Sequence, residues 1–404
     1  CVTWVKLNFM FIIFQVPPTR QSYNNLLSAY GSTGDWKQVL KICKKMMDNG
    51  VGPDIVTHNI IMSALKNGGE HEKAISYFND MEARNFPMDR YTYNILIKCL
   101  SQAEQYSKAI GIFFNMRNSE LNNCKPDLVT FNTVMHVYGA CGRFSDAKST
   151  FEMLLAEGFV PDLVSYNTLI GVYSSAGLHD EAMNFFSLMK DAGHRPNIIT
   201  YTSLINAYGK AGQPEKAEEI FEMVGRKNLK LGVVVYNALI NAYSVAGKLD
   251  DALRIFNGMK SQMIHPNCVT ICSLLTACRS GRHIDKMHSI LLEAAAQNIE
   301  LNTAICNSAL TVLIEGGAYD VAKDLYTSMQ AEKISLDEIT YGLLIRISGA
   351  LGDHQEARKY FDEMSTRAHG LSVEATSVMI DIYAKKVWVV RNPQLCTIYQ
   401  ISEI

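Results

Sequence analysis

The chain has 404 residues, 48% hydrophobic and 19% charged, with a formal net charge of −2. That apolar content excludes an intrinsically disordered chain, and the near-neutral charge excludes a binder that holds nucleic acid mainly through its phosphates, so any such recognition must rest on residues that read bases. Ten prolines and eighteen methionines favour helices, and ten cysteines with no CxxC pair argue against a disulfide framework.

The first residue is Cys1, and residues 1–19 are expected to be irregular. The run Phe9-Met10-Phe11-Ile12-Ile13-Phe14 is too short to span a membrane. It has neither the basic start nor the small-residue cleavage site of a signal peptide. From Gln21 one theme recurs: QSYNNLLSAY, then VTHNIIMSAL at 56, YTYNILIKCL at 91, VTFNTVMHVY at 129, VSYNTLIGVY at 164, ITYTSLINAY at 199 and VVYNALINAY at 234. It continues, degraded, as VTICSLLTAC at 269, AICNSALTVL at 304 and ITYGLLIRIS at 339. The copies lie 35 residues apart, or 38 across NSELNNCKPD, where three extra residues fit a loop insertion. This period divides the chain into ten units: 20–54, 55–89, 90–127, 128–162, 163–197, 198–232, 233–267, 268–302, 303–337 and 338–372. Residues 373–386 begin an eleventh, with Ser377 at the place of the theme's Asn. The tail 387–404, VWVVRNPQLCTIYQISEI, matches no second helix. The apolar end and Cys1 together are expected to mark a chain cut from a longer one.

Columns down the units specify two helices each. A small residue recurs as Val39, Ala74, Ala109, Ala147, Ala182, Ala217, Ala252, Met287, Ala322 and Ala357, where two helices are expected to cross closely. Four residues later an aromatic dominates (Phe78, Phe113, Phe151), and three further on a methionine (Met81, Met116, Met189), all on one face of a second helix. Glycines such as Gly34, Gly69 and Gly142 suit the left-handed turn that ends the first helix. Pro-Asp or Pro-Asn closes many units: Pro stops the second helix, and Asp or Asn can cap the next first helix. A lone hairpin cannot bury its apolar face, so the hairpins must stack. The expectation is an all-α, right-handed superhelical solenoid of about ten helix–turn–helix repeats, with the apolar columns as its core.

The unit VSYNTLI at 164, followed by Gly177, Glu181-Ala182, Phe186, Met189, Gly193 and Pro196-Asn197, resembles the pentatricopeptide repeat. The likeness extends from Arg20 to about Lys386. The Trp, Leu-Gly and Tyr pattern of the 34-residue tetratricopeptide repeat is absent. Units of uniform length resemble the P-type subclass, which implies organellar RNA splicing, stabilisation or translation, in plastid or mitochondrion.

The resemblance implies single-stranded RNA as partner, one base per repeat, read by the residue after the first-helix aromatic and by the last residue of the unit. The pairs Asn24 with Asp54, Asn59 with Asp89, Asn94 with Asp127, Asn132 with Asp162, and Asn307 with Asp337 are similar to the family's uracil combination. Asn167 with Asn197, and Asn237 with Asn267, are similar to its cytosine-leaning one. The chemistry is consistent: uracil N3–H needs an acceptor such as ionised Asp, whereas the bare N3 of cytosine needs a donor such as an Asn amide. Thr202 hints at a purine beside Gly232, Cys272 with Asn302 suggests adenine, and Gly342 with Ser372 is unreadable. The implied target is near 5′-UUUU-C-n-C-n-U-n-3′. By the same resemblance Val56, Tyr91, Val129, Val164, Ile199, Val234, Val269, Ala304 and Ile339 sandwich the bases. Lys210 alone matches the family's phosphate-facing Lys, which implies a shallow salt dependence.

Structural readings stand beside these. Asn early in a helix can bond to nearby backbone, and the Asp column is a plausible N-cap, able to do both jobs. Acidic clusters such as Glu215-Glu218-Glu219 and Asp250-Asp251 suit solvated helix starts. No zinc-deaminase HxE and CxxC signature or GxxxxGK[ST] loop occurs, so no enzymatic activity, metal or cofactor is expected. The alternative function is a scaffold that binds a protein or peptide in its groove.

Overall fold

Most first helices in this chain start where an Asp or Asn side chain can accept the open backbone amides, and they end where a residue turns left-handed. The computed structural model describes residues 18–119, 121–227, 229, 231–366 and 373–391. Most of the expected N-terminal segment, Ser372 and the end of the expected tail lie outside these. Two compact units are present, one ending at Pro196 and the other beginning at Asn197.

The first unit is a row of five helical hairpins: α1 (Arg20–Ser32) with α2 (Trp36–Asp48), α3 (Ile55–Asn67) with α4 (His71–Ala83), α5 (Arg90–Gln102) with α6 (Tyr106–Asn118), α7 (Leu128–Ala140) with α8 (Phe144–Ala156), and α9 (Leu163–Ser175) with α10 (His179–Asp191). A single 3₁₀ turn, Asn122–Cys124, occupies the three-residue insertion, and its Cys124 is buried. The second unit repeats the arrangement: α11 (Ile198–Lys210) with α12 (Pro214–Arg226), α13 (Val233–Val245) with α14 (Leu249–Ser261), α15 (Cys268–Gly281) with α16 (Ile284–Ala296), α17 (Thr303–Glu315) with α18 (Tyr319–Ala331), α19 (Glu338–Ala350) with α20 (His354–Thr366), and then α21 (Val373–Arg391). No strand occurs among the described residues. Helix α21 corrects one expectation: it continues through Val387-Trp388-Val389-Val390 to Arg391, because no Gly or Pro interrupts it before Pro393.

Within each unit every first helix packs on the first helix of the next hairpin, α1 on α3 and α11 on α13 for example. The alanines of the small column are all fully buried, as are Phe113, Met189 and Met259, and Phe113 packs edge-on against Phe131 of the next hairpin at 5.3 Å between ring centres. Two first helices approach closely at Gly209, where an added Cβ would stand 2.7 Å from Ala242 Cβ and 3.0 Å from its Cα. The turn after the first helix has positive φ throughout: Gly34, Gly69, Gly142 and their equivalents supply it, while Glu104 (φ 57°) and Arg282 (φ 53°) adopt it without glycine.

Candidate nucleic-acid interface

In most of the described units the last residue caps the first helix of the next. Asp54, Asp89, Asp127, Asp162, Asn197, Asn267 and Asp337 each close a capping box, the Oδ1 atom accepting from the backbone amide three residues on and that residue's hydroxyl facing back to the cap's own N–H. Asn302 caps α17 by accepting from Ile305 N–H at 3.0 Å, and Gly232 offers no side chain. The capping role weighed for this column is therefore real, and it constrains the chemistry left over. A carboxylate or carboxamide has two terminal atoms, and the cap occupies Oδ1. Outside the cap remains an acceptor, Oδ2, in Asp and a donor, Nδ2, in Asn.

The first-helix Asn reaches this cap from the preceding unit. Asn24 Nδ2 donates to Asp54 Oδ1 at 3.3 Å, Asn59 to Asp89 at 3.1 Å, Asn94 to Asp127 at 3.4 Å, Asn237 to Asn267 Oδ1 at 3.0 Å and Asn307 to Asp337 at 2.9 Å. These five expected pairs are thus brought into contact by side chains 30 to 33 residues apart. Local backbone bonding does not account for these asparagines. Asn132 and Asp162 line one groove without bonding to each other, and the buried Asn132 Oδ1 has no hydrogen-bond partner. Asn167 is half-buried on α9, and Asn197 accepts from Thr200 N–H at 3.1 Å.

The departing units differ in detail. Thr202 donates its hydroxyl to Ile198 O at 2.7 Å, so that proton is committed to its own helix. Asn302 does not bond to Cys272. Its amide donates to Cys268 Sγ, one turn earlier, at 3.1 Å. Burial pushes the Cys272 thiol up to about 11, leaving a weak neutral donor at that place. Gly342 leaves a small cavity of about 110 Å³ lined by Ile339, Arg346 and Ala375.

Burial opposes ionisation of Asp54, Asp127 and Asp337, but donors outweigh it. The backbone amide of the threonine three residues on and the amide of the paired Asn, with the threonine hydroxyl close by, hold each carboxyl below its ordinary range. Arg20 and Arg90 add attraction, 3.9 Å from Asp54 Oδ2 and 3.6 Å from Asp127 Oδ2. All three aspartates are therefore charged acceptors at neutral pH.

Beside the pairs stands a row of apolar side chains turned to solvent. Val56, Tyr91, Val129 and Val164 in the first unit, and Ile199, Val234, Val269 and Ile339 in the second, are 50% to 64% exposed; the smaller Ala304 is exposed too. Such a row is unusual on first helices whose other apolar faces are buried. In the first unit a groove of about 420 Å³ opens between Val129 and Val164, with Asn132 and Asp162 in its wall. Lys98 and His136 also line it, and neither was singled out from the sequence. Lys210 is exposed at the end of α11. Most informative among the residues missed is a threonine column, Thr57, Thr92, Thr130, Thr270 and Thr340, each fully buried. Its signal was present in the second letter of VTHN, YTYN and VTFN.

Sequence profiles described as the PPR repeat family match residues 18–67, 53–102, 126–170 and 161–210. A profile described as pentatricopeptide repeat-containing protein matches 200–329, and one described as PPR repeat matches 91–121 and 339–367. No curated relative matches the sequence. Among solved structures, yeast Rmd9p in complex with a 16-nt target RNA shares 12% identity, covering 95% of this chain and 88% of its own, with a TM-score of 0.52. The pentatricopeptide repeat protein PPR10 from maize shares 22% identity, covering 98% of this chain and 71% of its own, with a TM-score of 0.43. The PPR domain of Arabidopsis thaliana protein-only RNase P 1, in complex with tRNA, shares 16% identity, covering 45% of this chain and 95% of its own, with a TM-score of 0.38. With repeat profiles matching from residue 18 to residue 367 and the helical hairpin recurring at the same period, the chain belongs to the pentatricopeptide-repeat family.

Proposed function

We propose that this protein binds single-stranded RNA and reads it base by base along the first helices. The observation that carries the reading is the division of labour at the capping residue: Oδ1 holds the cap, and the second terminal atom, an acceptor in Asp and a donor in Asn, lies outside it, although Asn59 also reaches Asp89 Oδ2 at 3.3 Å and Arg20 and Arg90 approach Oδ2 of Asp54 and Asp127. An acceptor suits uracil N3–H and a donor suits the bare N3 of cytosine. The exposed aliphatic row on either side supplies sequence-tolerant stacking, which a chain of net charge −2 needs in place of phosphate contacts. The similar fold of yeast Rmd9p is seen in complex with a 16-nt target RNA. On this reading the target lies near 5′-UUUU-C-n-C-n-U-n-3′, and the protein acts in processing of organellar transcripts, in plastid or mitochondrion.

The test is filter binding of that RNA against a shuffled sequence, with Asn267→Asp as the decisive variant. Exchanging the free Nδ2 for an oxygen is expected to move the preference at the seventh position from C toward U, by about five-fold for one hydrogen bond. Equal weak binding of both RNAs, or an unchanged preference at that position, would sink the proposal. Capture of a peptide without any RNA binding would favour the scaffold reading.

A further inference from the structure

A third residue accompanies every reader Asn, and it belongs to the following unit. Asn24, Asn59, Asn94, Asn132, Asn167, Asn237 and Asn307 are matched, in the third residue of the next unit, by Thr57, Thr92, Thr130, Ser165, Thr200, Thr270 and Thr340. The three units that lack the Asn, with Thr202, Cys272 and Gly342, are followed by Val235, Ile305 and Ala375. The correspondence has no exception along the chain.

Helix capping alone does not explain it. Asn302 is a cap like Asn197 and Asn267, yet the residue three further on is Ile305. What distinguishes that unit is the absence of Asn from the first helix, where Cys272 stands instead. The hydroxyl therefore tracks the reader Asn and not the capping residue.

The geometry gives the reason. Thr57 Oγ1 lies 2.7 Å from Asn24 Oδ1, Thr92 Oγ1 2.7 Å from Asn59 Oδ1, Thr130 Oγ1 2.7 Å from Asn94 Oδ1, Thr270 Oγ1 2.6 Å from Asn237 Oδ1 and Thr340 Oγ1 2.9 Å from Asn307 Oδ1. Each hydroxyl has one proton and two oxygens within reach, the other being the cap Oδ1 at 2.8 to 3.1 Å. The cap oxygen already accepts from a backbone amide and from the Asn NH2, so the proton is needed at the Asn oxygen. Turning the carboxamide over would set its oxygen against the cap oxygen and leave its NH2 facing the hydroxyl. Donation from Thr thus fixes one of the two orientations of each reader amide. Where Ser165 replaces Thr, its Oγ donates to Asp162 Oδ1 at 2.9 Å, and Asn132 Oδ1 is left without a partner. Serine lacks the γ-methyl that restricts χ1, so this hydroxyl is not held toward the Asn.

We propose that this hydroxyl is a positioning residue for base recognition: a reading site consists of three residues drawn from two consecutive units, and base choice at one unit depends on the third residue of the next. The inference rests on the RNA-reading proposal above. The experiment compares Thr92→Val, which keeps shape and removes the donor, with Thr92→Ser. Affinity is measured for RNAs carrying each of the four bases at the second position, the one assigned to Asn59 and Asp89, and at the first position as an internal reference. Thr92→Val is expected to lower the preference for U at the second position by about five-fold. The preference at the first position should persist, and Thr92→Ser should restore part of the loss. Full retention of the preference at the second position in Thr92→Val would overturn the inference. So would a parallel loss at both positions, the mark of a purely structural role. A wild-type protein without base preference anywhere would overturn the RNA-reading proposal itself, and the inference with it.

Discussion

Asp89 caps α5 and also holds the Asn59 amide, so its replacement measures what the shared cap contributes to the fold. Its Oδ1 accepts from Thr92 N–H at 2.9 Å and from Asn59 Nδ2 at 3.1 Å, with the Thr92 hydroxyl oxygen 2.8 Å away. Asp89→Ala removes an N-cap, which costs about 1 kcal/mol. It also strands two groups in places water does not reach, the amide of the fully buried Thr92 and the NH2 of Asn59, which is 6% exposed. A buried donor left unsatisfied costs about 1 kcal/mol or more, so the total comes to roughly 2–4 kcal/mol. Asp89→Asn behaves differently because it keeps an oxygen at the cap. Asn267 already serves in that way, accepting from Thr270 N–H at 3.1 Å and from Asn237 Nδ2 at 3.0 Å. Its cost is expected to stay below about 1 kcal/mol. Urea unfolding gives the stability change, and hydrogen exchange at the start of α5 localises it. Asp89→Ala within about 0.5 kcal/mol of wild type, or equal losses in the two variants, would refute the shared-cap argument.

Two further outcomes follow from glycine placement and from acid titration. Gly171→Ala, in a helix interior with no heavy atom within 4 Å of the added methyl, is expected to raise stability by up to about 1 kcal/mol. Gly209→Ala presses on the Ala242 backbone and is expected to lower it by about 1–3 kcal/mol, so changes of the same sign in thermal unfolding would contradict the packing described. Because the carboxyls of Asp54, Asp127 and Asp337 are held low in the folded state, their stabilisation is complete above the ordinary carboxyl value of about 4. It is lost as pH falls below that value toward the folded ones. The urea midpoint should therefore drop below about pH 4, and Asp127→Asn should make the drop shallower; an unchanged slope would count against the donors assigned to Asp127.

The helices and the Asn–Asp pairing were legible because they rest on period and residue type, which repetition amplifies. Ten copies of one theme make Ala109 or Phe113 a column and not an isolated residue. Three things were less accessible. Glu104 and Arg282 take a left-handed conformation that their side chains do not announce, since only the glycines of the other units mark the place. Helix α21 passes Lys386 because nothing in Val387–Val390 stops a helix, although those residues fit no second-helix pattern. The threonine column was present in most of the quoted themes, but its meaning depends on side chains 33 to 36 residues earlier that only the stacked hairpins bring within 3 Å. Lys98 and His136 were passed over for a related reason, since a groove wall is a property of neighbouring helices and not of one.

The capping box that spans two hairpins also determines how such a protein can be cut and rejoined. A splice made after Asp54 or Asp89 severs an aspartate from the threonine whose amide it holds, and a graft joined there inherits a foreign partner on each side of the seam. A splice in the tight turn after Gly34 or Gly69 keeps each aspartate on one segment with the threonine it caps, and parts the two only from the asparagine of the first helix before the cut. The cassette that keeps every cap intact therefore begins at a second helix and ends with the first helix that follows, half a period out of phase with the repeat as it is written.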